Sequence, residues 1–257
     1  MVDIVELSKI AFGRLCDMDY ERIGGESKER MIFPNKFPSQ NKSANITEKE
    51  LAKYTRISEQ ELRFLFVEAF ITNIASKDYF YSIETPTKAK YKFGKSYEEI
   101  NPNIAGRSAS IDMCIFKRDS NKYERILNVE FKHANSSMKS IGKDILKLVH
   151  DEQNGAFIIL LDNTDKGTFN HFTGNSGIFD KLLRSLSEHK HLWKGENKFI
   201  ELVIMSLEQR IFIHHRLTQE DKLKEIFKVK NSGNIGSIVE RSWENYAVDK
   251  QRTGKTE

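Results

Sequence analysis

The pair Glu130 and Lys132 lies in ILNVEFKHAN (126–135), in alternation with Leu127, Val129 and Phe131. A strand's period of two puts those apolar residues on one face and Asn128, Glu130 and Lys132 on the other. A hairpin turn centred on Asn121 sets Ile111 against Phe131, Met113 against Val129 and Ile115 against Leu127, the register a buried face selects. It also sets Asp112 opposite Glu130, with Lys132 two residues further along the same face. Carboxylates opposed across a strand pair, Cβ atoms about 5 Å apart, repel each other unless a cation sits between them. The chemistry these types offer is therefore divalent-metal binding beside a fixed ammonium. Glu26 with Lys28, Glu188 with Lys190, Glu196 with Lys198 and Glu220 with Lys222 repeat the acid-x-lysine spacing, but none lies in an alternating apolar strand with an acid opposite.

Residues 1–57 read as an N-terminal helix followed by a polar linker, Tyr20 to Asn45, and a short helix whose capping box is Thr47 and Glu50. Ser58 and Glu61 repeat that box before SEQELRFLFVEAFITNIA, a helix apolar nearly all round and so expected inside the domain. FYSIET is a predicted strand, and PTKAKYKFGKSYEEINPNIAGR reads as a long basic loop. SASIDMCIF and ERILNVEFK are strands joined by DSNK. Asn135, Ser136 and Ser137 are candidate caps for a helix through MKSIGKDILKLVHDE, and AFIILL reads as a fully buried strand in parallel pairing. A Gly-rich loop, a helix near 176–190 and strands at FIELVIMS and QRIFIHH follow. The expectation is an α/β protein with a core of order αβββαβ over 58–215, a mixed central sheet flanked by helices, and a C-terminal helix (219–228) and polar tail within 216–257.

Asp112 on one strand, E-F-K at 130–132 on the next, and the order of elements around them resemble the PD-(D/E)xK nuclease superfamily, the restriction-endonuclease-like fold. The resemblance covers about residues 58–162. Ile111 stands where the motif's proline would be, and no QxxxY signature follows Lys132. The resemblance implies Mg²⁺, with Mn²⁺ able to substitute, held by Asp112, Glu130 and the Phe131 carbonyl. It implies that Lys132 orients or activates the attacking water, or neutralises developing charge. It also implies a third acid from the preceding helix. Glu68 in FLFVEAF is the candidate, with Glu61 and then Glu84 in reserve. The implied activity is hydrolysis of nucleic acid, most simply double-stranded DNA cut by an endonuclease in restriction, phage defence or DNA processing. A homodimer or an activating protein partner fits such an enzyme. The alternative is a nucleic-acid-binding or assembly subunit that keeps the fold without turnover.

Composition agrees with a soluble globular chain: 39% hydrophobic, 30% charged and a formal charge of +4, which permits a polyanionic partner. Lys88, Lys90, Lys92 and Lys95 interleave with Tyr91, Phe93 and Tyr97, and with Arg107 they form a candidate nucleic-acid contact. Lys139, Lys143 and Lys147 make a basic stripe at helical spacing that could track a phosphate backbone, although a solvated helix face predicts the same stripe. Two cysteines, Cys16 and Cys114, are too few for a disulfide framework or a cysteine zinc site, which points to an intracellular, cytoplasmic protein. MVDIVELSKIAFGRL lacks the uninterrupted apolar core of a signal peptide, and AFIILL is too short to span a bilayer, so no membrane is expected. His133 alternates away from the reactive face. His189, His191, His214 and His215 lack the helical spacing of a zinc protease, and the terminal GKT lacks the rest of a P-loop.

Overall fold

The capping box foreseen at Ser58 is present: its backbone N–H donates to Glu61 at 2.8 Å, which starts a helix at a fixed residue beside the sheet. The computed structural model describes residues 2–22, 57–94, 99–162, 164, 168–169, 177–229 and 235–248. The elements are α1 (Ile4–Arg22), α2 (Glu59–Asn73), β1 (Tyr79–Lys92), β2 (Asn101–Pro102), β3 (Arg107–Asp119), β4 (Lys122–His133), α3 (Met138–His150), β5 (Asn154–Leu161), α4 (Ile178–His189), β6 (Phe199–Ser206), β7 (Ile211–Thr218), α5 (Leu223–Ile226), α6 (Ile235–Ile238) and β8 (Glu244–Ala247). The expected αβββαβ order is present in α2, β1, β3, β4, α3 and β5. The short helix before Ser58, Lys95, Tyr97 and the terminal GKT lie outside the described residues.

One mixed sheet runs β2-β1-β3-β4-β5-β6-β7-β8. β4–β5 and β5–β6 are parallel and the other pairs antiparallel. Alternation along the strands sends residues to two cores. Val129, Phe131, Ile158 and Val203 meet Leu15, Leu65 and Phe66 of α1 and α2. Phe157, Ile159 and Ile204 meet Ile145, Leu148 and Leu182 of α3 and α4. This makes a helix–sheet–helix sandwich. Among the described residues no helix is long and apolar enough to cross a membrane.

Three local expectations change. The hairpin turn is Ser120–Asn121, with Ser120 in the left-handed region at φ +52°, because Asp119 pairs with Lys122. A bulge at Ile126 restores the register, so Ile115 still faces Leu127 and Met113 still faces Val129. The stretch read as a basic loop continues β1, whose residues after a bulge between Pro86 and Lys90 pair with β3 and β2. Lys88, Lys90 and Lys92 are therefore exposed strand residues, and Tyr91 between them is fully buried. The helix expected over 219–228 is one turn, α5, a second turn follows at α6, and β8 joins the same sheet beside β7.

Candidate metal centre

Glu130 and Lys132 project from β4 toward α3, and Asp112 projects from the same face of β3. The main-chain ladder between β3 and β4 ends at Met113 and Val129. Beyond it the Phe131 N–H donates to Asp112 Oδ2 at 2.8 Å, so the acid's side chain takes the next rung of the ladder. Asp112 and Glu130 thus share a face as expected, although they are not ladder partners. Phe66 of α2 stands edge-on to Phe131 at 5.3 Å, which fixes where the start of α2 meets this end of the sheet.

That packing makes the helix contribution differ from the one expected. Glu68 lies on the side of α2 toward α1, where it pairs with Arg14 at 3.0 Å with its side chain 51% exposed, so it is not part of the centre. Glu61 is spent on the helix cap. The acid that α2 supplies is Glu59 in its first turn, 3.9 Å from Lys132. One turn on, Arg63 reaches Glu59 at 3.3 Å, Glu84 at 3.0 Å and Asp112 at 2.9 Å. Glu84 holds φ +53° and also accepts from the Ser110 hydroxyl at 2.7 Å. That hydrogen bond, with Arg63 added to it, keeps the Glu84 carboxyl below its ordinary range despite partial burial.

Two residues of α3 complete the network, and neither was named for this role from the sequence. Asp144 is 2.6 Å from Lys132 and 2.8 Å from Lys147. Lys147 also lies 2.5 Å from Glu130 Oε1 and donates to the Ser110 carbonyl at 2.7 Å. Its place in a phosphate-tracking stripe is therefore corrected: it is buried beneath the sheet face. The clue was available, because Asp144 interrupts the apolar stripe formed by Ile141, Ile145 and Leu148. The remaining stripe residues turn to the residues just after β1, with Lys139 donating to the Gly94 carbonyl and Lys143 over the Phe93 ring at 5.7 Å. Arg107 approaches the same ring at 6.0 Å.

Burial and charge set the protonation states. Glu130 is fully buried; burial and the neighbouring Asp144 push its carboxyl well above the ordinary range, against the pull of Lys147. Burial would also raise Asp144, but the ammoniums of Lys147 and Lys132 outweigh it and hold Asp144 low. Burial works to lower Lys132, yet Asp144 and Asp112 keep it above its ordinary value and so cationic. Five acids (Glu59, Glu84, Asp112, Glu130, Asp144) meet three bases (Arg63, Lys132, Lys147), a formal excess of two negative charges when all are ionised. Glu130 Oε2 has no hydrogen-bond partner among the described residues.

A divalent cation fits that charge and that orphaned oxygen. Among the described residues no three acidic, histidine or cysteine side chains converge as a ready metal-ligand set. The donors available are the Asp112 and Glu130 carboxylates and the Phe131 carbonyl, where the Lys132 ammonium now sits at 2.9 Å. That complement suits Mg²⁺, which keeps several waters. Three described histidines serve elsewhere: His133 faces Asp162 at 3.1 Å, His214 stacks on Phe212, and His215 bonds the Ser242 carbonyl at 2.9 Å.

No protein-family model matches this chain, and no curated protein does. Among solved structures, that of SfsA from Pyrococcus furiosus in complex with Ca²⁺ is similar at 14% identity, over 59% of this chain and 60% of that one, with a TM-score of 0.28. The chain thus spans less than two thirds of that protein's length, and a likeness at this level assigns it neither a family nor an activity.

Proposed function

We propose that the protein is a divalent-metal-dependent nuclease, most simply a DNA endonuclease using Mg²⁺, with Mn²⁺ able to replace it. The observation that carries this reading is the fully buried Glu130 on the same sheet face as Asp112 and Lys132, with one oxygen unpartnered, in a cluster where acids outnumber bases. When bound, the metal lowers the pKa of a water and stabilises charge on the phosphate. Asp112 and Glu130 would hold it with the Phe131 carbonyl. Lys132 is kept cationic by Asp144, so its role is to donate hydrogen bonds and offset phosphate charge, and not to remove a proton from water.

The test is incubation of supercoiled and linear duplex DNA, single-stranded DNA and RNA with Mg²⁺, Mn²⁺ or EDTA. Asp112→Ala and Glu130→Ala should each lower cleavage by on the order of 10²-fold or more, while binding in Ca²⁺ persists. Wild-type cleavage by either variant sinks the assignment. The second reading, a binding subunit without turnover, draws on Arg63 and Lys147, which already neutralise the two acids from within the protein. It predicts binding with no cleavage in any metal.

A further inference from the structure

The turn between β2 and β3 holds a large apolar side chain out into solvent. Ile104 is 94% exposed. Its turn is pinned: the Gly106 N–H donates to the Asn103 carbonyl at 2.9 Å, Asn103 Oδ1 accepts from the Ala105 N–H at 2.9 Å, and the Asn103 N–H donates to the Lys90 carbonyl at 2.9 Å. Gly106 sits so close to β1 that a Cβ there would lie 2.2 Å from the Tyr91 carbonyl oxygen, so the turn is fastened to a buried strand residue. Beside Ile104 opens a concavity of about 450 Å³ walled by Lys88, Lys90, Lys194, His150 and Asn103, and none of its described lining residues is acidic. Burial and the nearby Lys194 hold His150 below its ordinary pKa, so the positive charge comes from the three lysines.

An isolated apolar residue on a protein surface needs no explanation, but a rigid tip beside an acid-free basic concavity does. Wedges of this kind enter between base steps from the minor groove while cations hold the flanking phosphates. We infer that Ile104 is a wedge that partly unstacks duplex DNA seated on Lys88, Lys90 and Lys194. This rests on the nuclease reading and adds the form of the substrate it takes. Tyr91 pairs with Arg107, the residue after Gly106, and Arg107 lies five positions along β3 from Asp112. At ~3.3 Å per strand residue that is about 17 Å, so the tip stands well away from the metal centre and the disturbed step is not the one that is cut.

The test uses the full chain in Ca²⁺ with duplexes carrying 2-aminopurine at successive positions from the cleavage point. Wild type should brighten the probe at a step removed from the cleavage point. Ile104→Ala should abolish that signal and weaken binding about tenfold, the worth of one buried aliphatic side chain. Replacing Lys88, Lys90 and Lys194 with alanine should reduce the slope of log K against log salt by up to about 3. Because Ile104 is exposed, its substitution leaves the core untouched. Wild-type brightening and affinity in Ile104→Ala overturn the inference while leaving the nuclease reading standing; a wild type that binds no nucleic acid removes both. Ile104-dependent flotation with phosphatidylserine vesicles, without a DNA signal, would assign the tip to a membrane surface instead.

Discussion

Replacing Lys147 with methionine should destabilise the protein by about 3–5 kcal/mol at neutral pH, the cost of taking away one partner of a buried ion pair. The structure places it at the severe end of single substitutions. Glu130 is fully buried, its Oε1 has Lys147 at 2.5 Å, and its Oε2 has no hydrogen-bond partner among the described residues. Asp144 keeps Lys132 at 2.6 Å, so the loss falls on Glu130, which must stay charged without a partner or take up a proton. The double variant Lys147→Met with Glu130→Gln removes the stranded charge and should recover most of the loss. Urea unfolding in EDTA measures both. Added Ca²⁺ provides a second reading: at an ion concentration a hundred times its dissociation constant it returns about 2.7 kcal/mol. Lys147→Met should gain more than the wild type, in which the ammonium already occupies the acid. A variant within about 1 kcal/mol of wild type, the level of an exposed pair, or a double variant no better than the single, would refute the reasoning.

Glu59→Gln removes one of the acids whose charge favours a cation at the centre and so should raise the metal concentration needed for half-maximal cleavage, whereas Glu68→Gln should cleave as wild type and cost no more than about 1 kcal/mol, as an exposed ion pair does; matching metal titrations of the two would contradict the placement of α2. Lys198 is buried against the end of α3, donating to the Leu148 and Val149 carbonyls at 2.5 and 2.9 Å, and burial lowers its pKa to about 7. Between that value and the ordinary lysine value of about 10.4 the unfolded chain binds more protons than the folded one, so this group makes stability rise with pH. Urea unfolding at pH 7 and 9.5 should show that rise in wild type and its loss in Lys198→Met; equal slopes would mean the cradle of the Leu148, Val149 and Asp151 carbonyls keeps Lys198 charged throughout.

The helix caps at Ser58 and Ser137, the buried strand AFIILL (156–161) and the shared face of Asp112, Glu130 and Lys132 were legible in the chain itself. Each follows from local period or from a short hairpin, where a slip of one residue would expose Val129 and Phe131. What local pattern could not decide was which distant groups meet that face. Glu59 and Glu68 are both helix acids, and tertiary packing, including the contact of Phe66 with Phe131, brings the first turn of α2 to the centre. Lys147 looks like one of three solvated lysines until α3 crosses β4 and turns it toward Glu130. Pro86 and the lysines after it read as a loop, yet pairing with β3 and β2 carries the strand through to Lys92, because a sheet edge supplies hydrogen bonds that outweigh a weak local propensity. The sequence by itself determined the acids, the ammonium and the strands that carry them. The tertiary structure decided their partners, because charge compensation in a buried centre is set by which elements cross there, and crossings are made by contacts far apart in the chain.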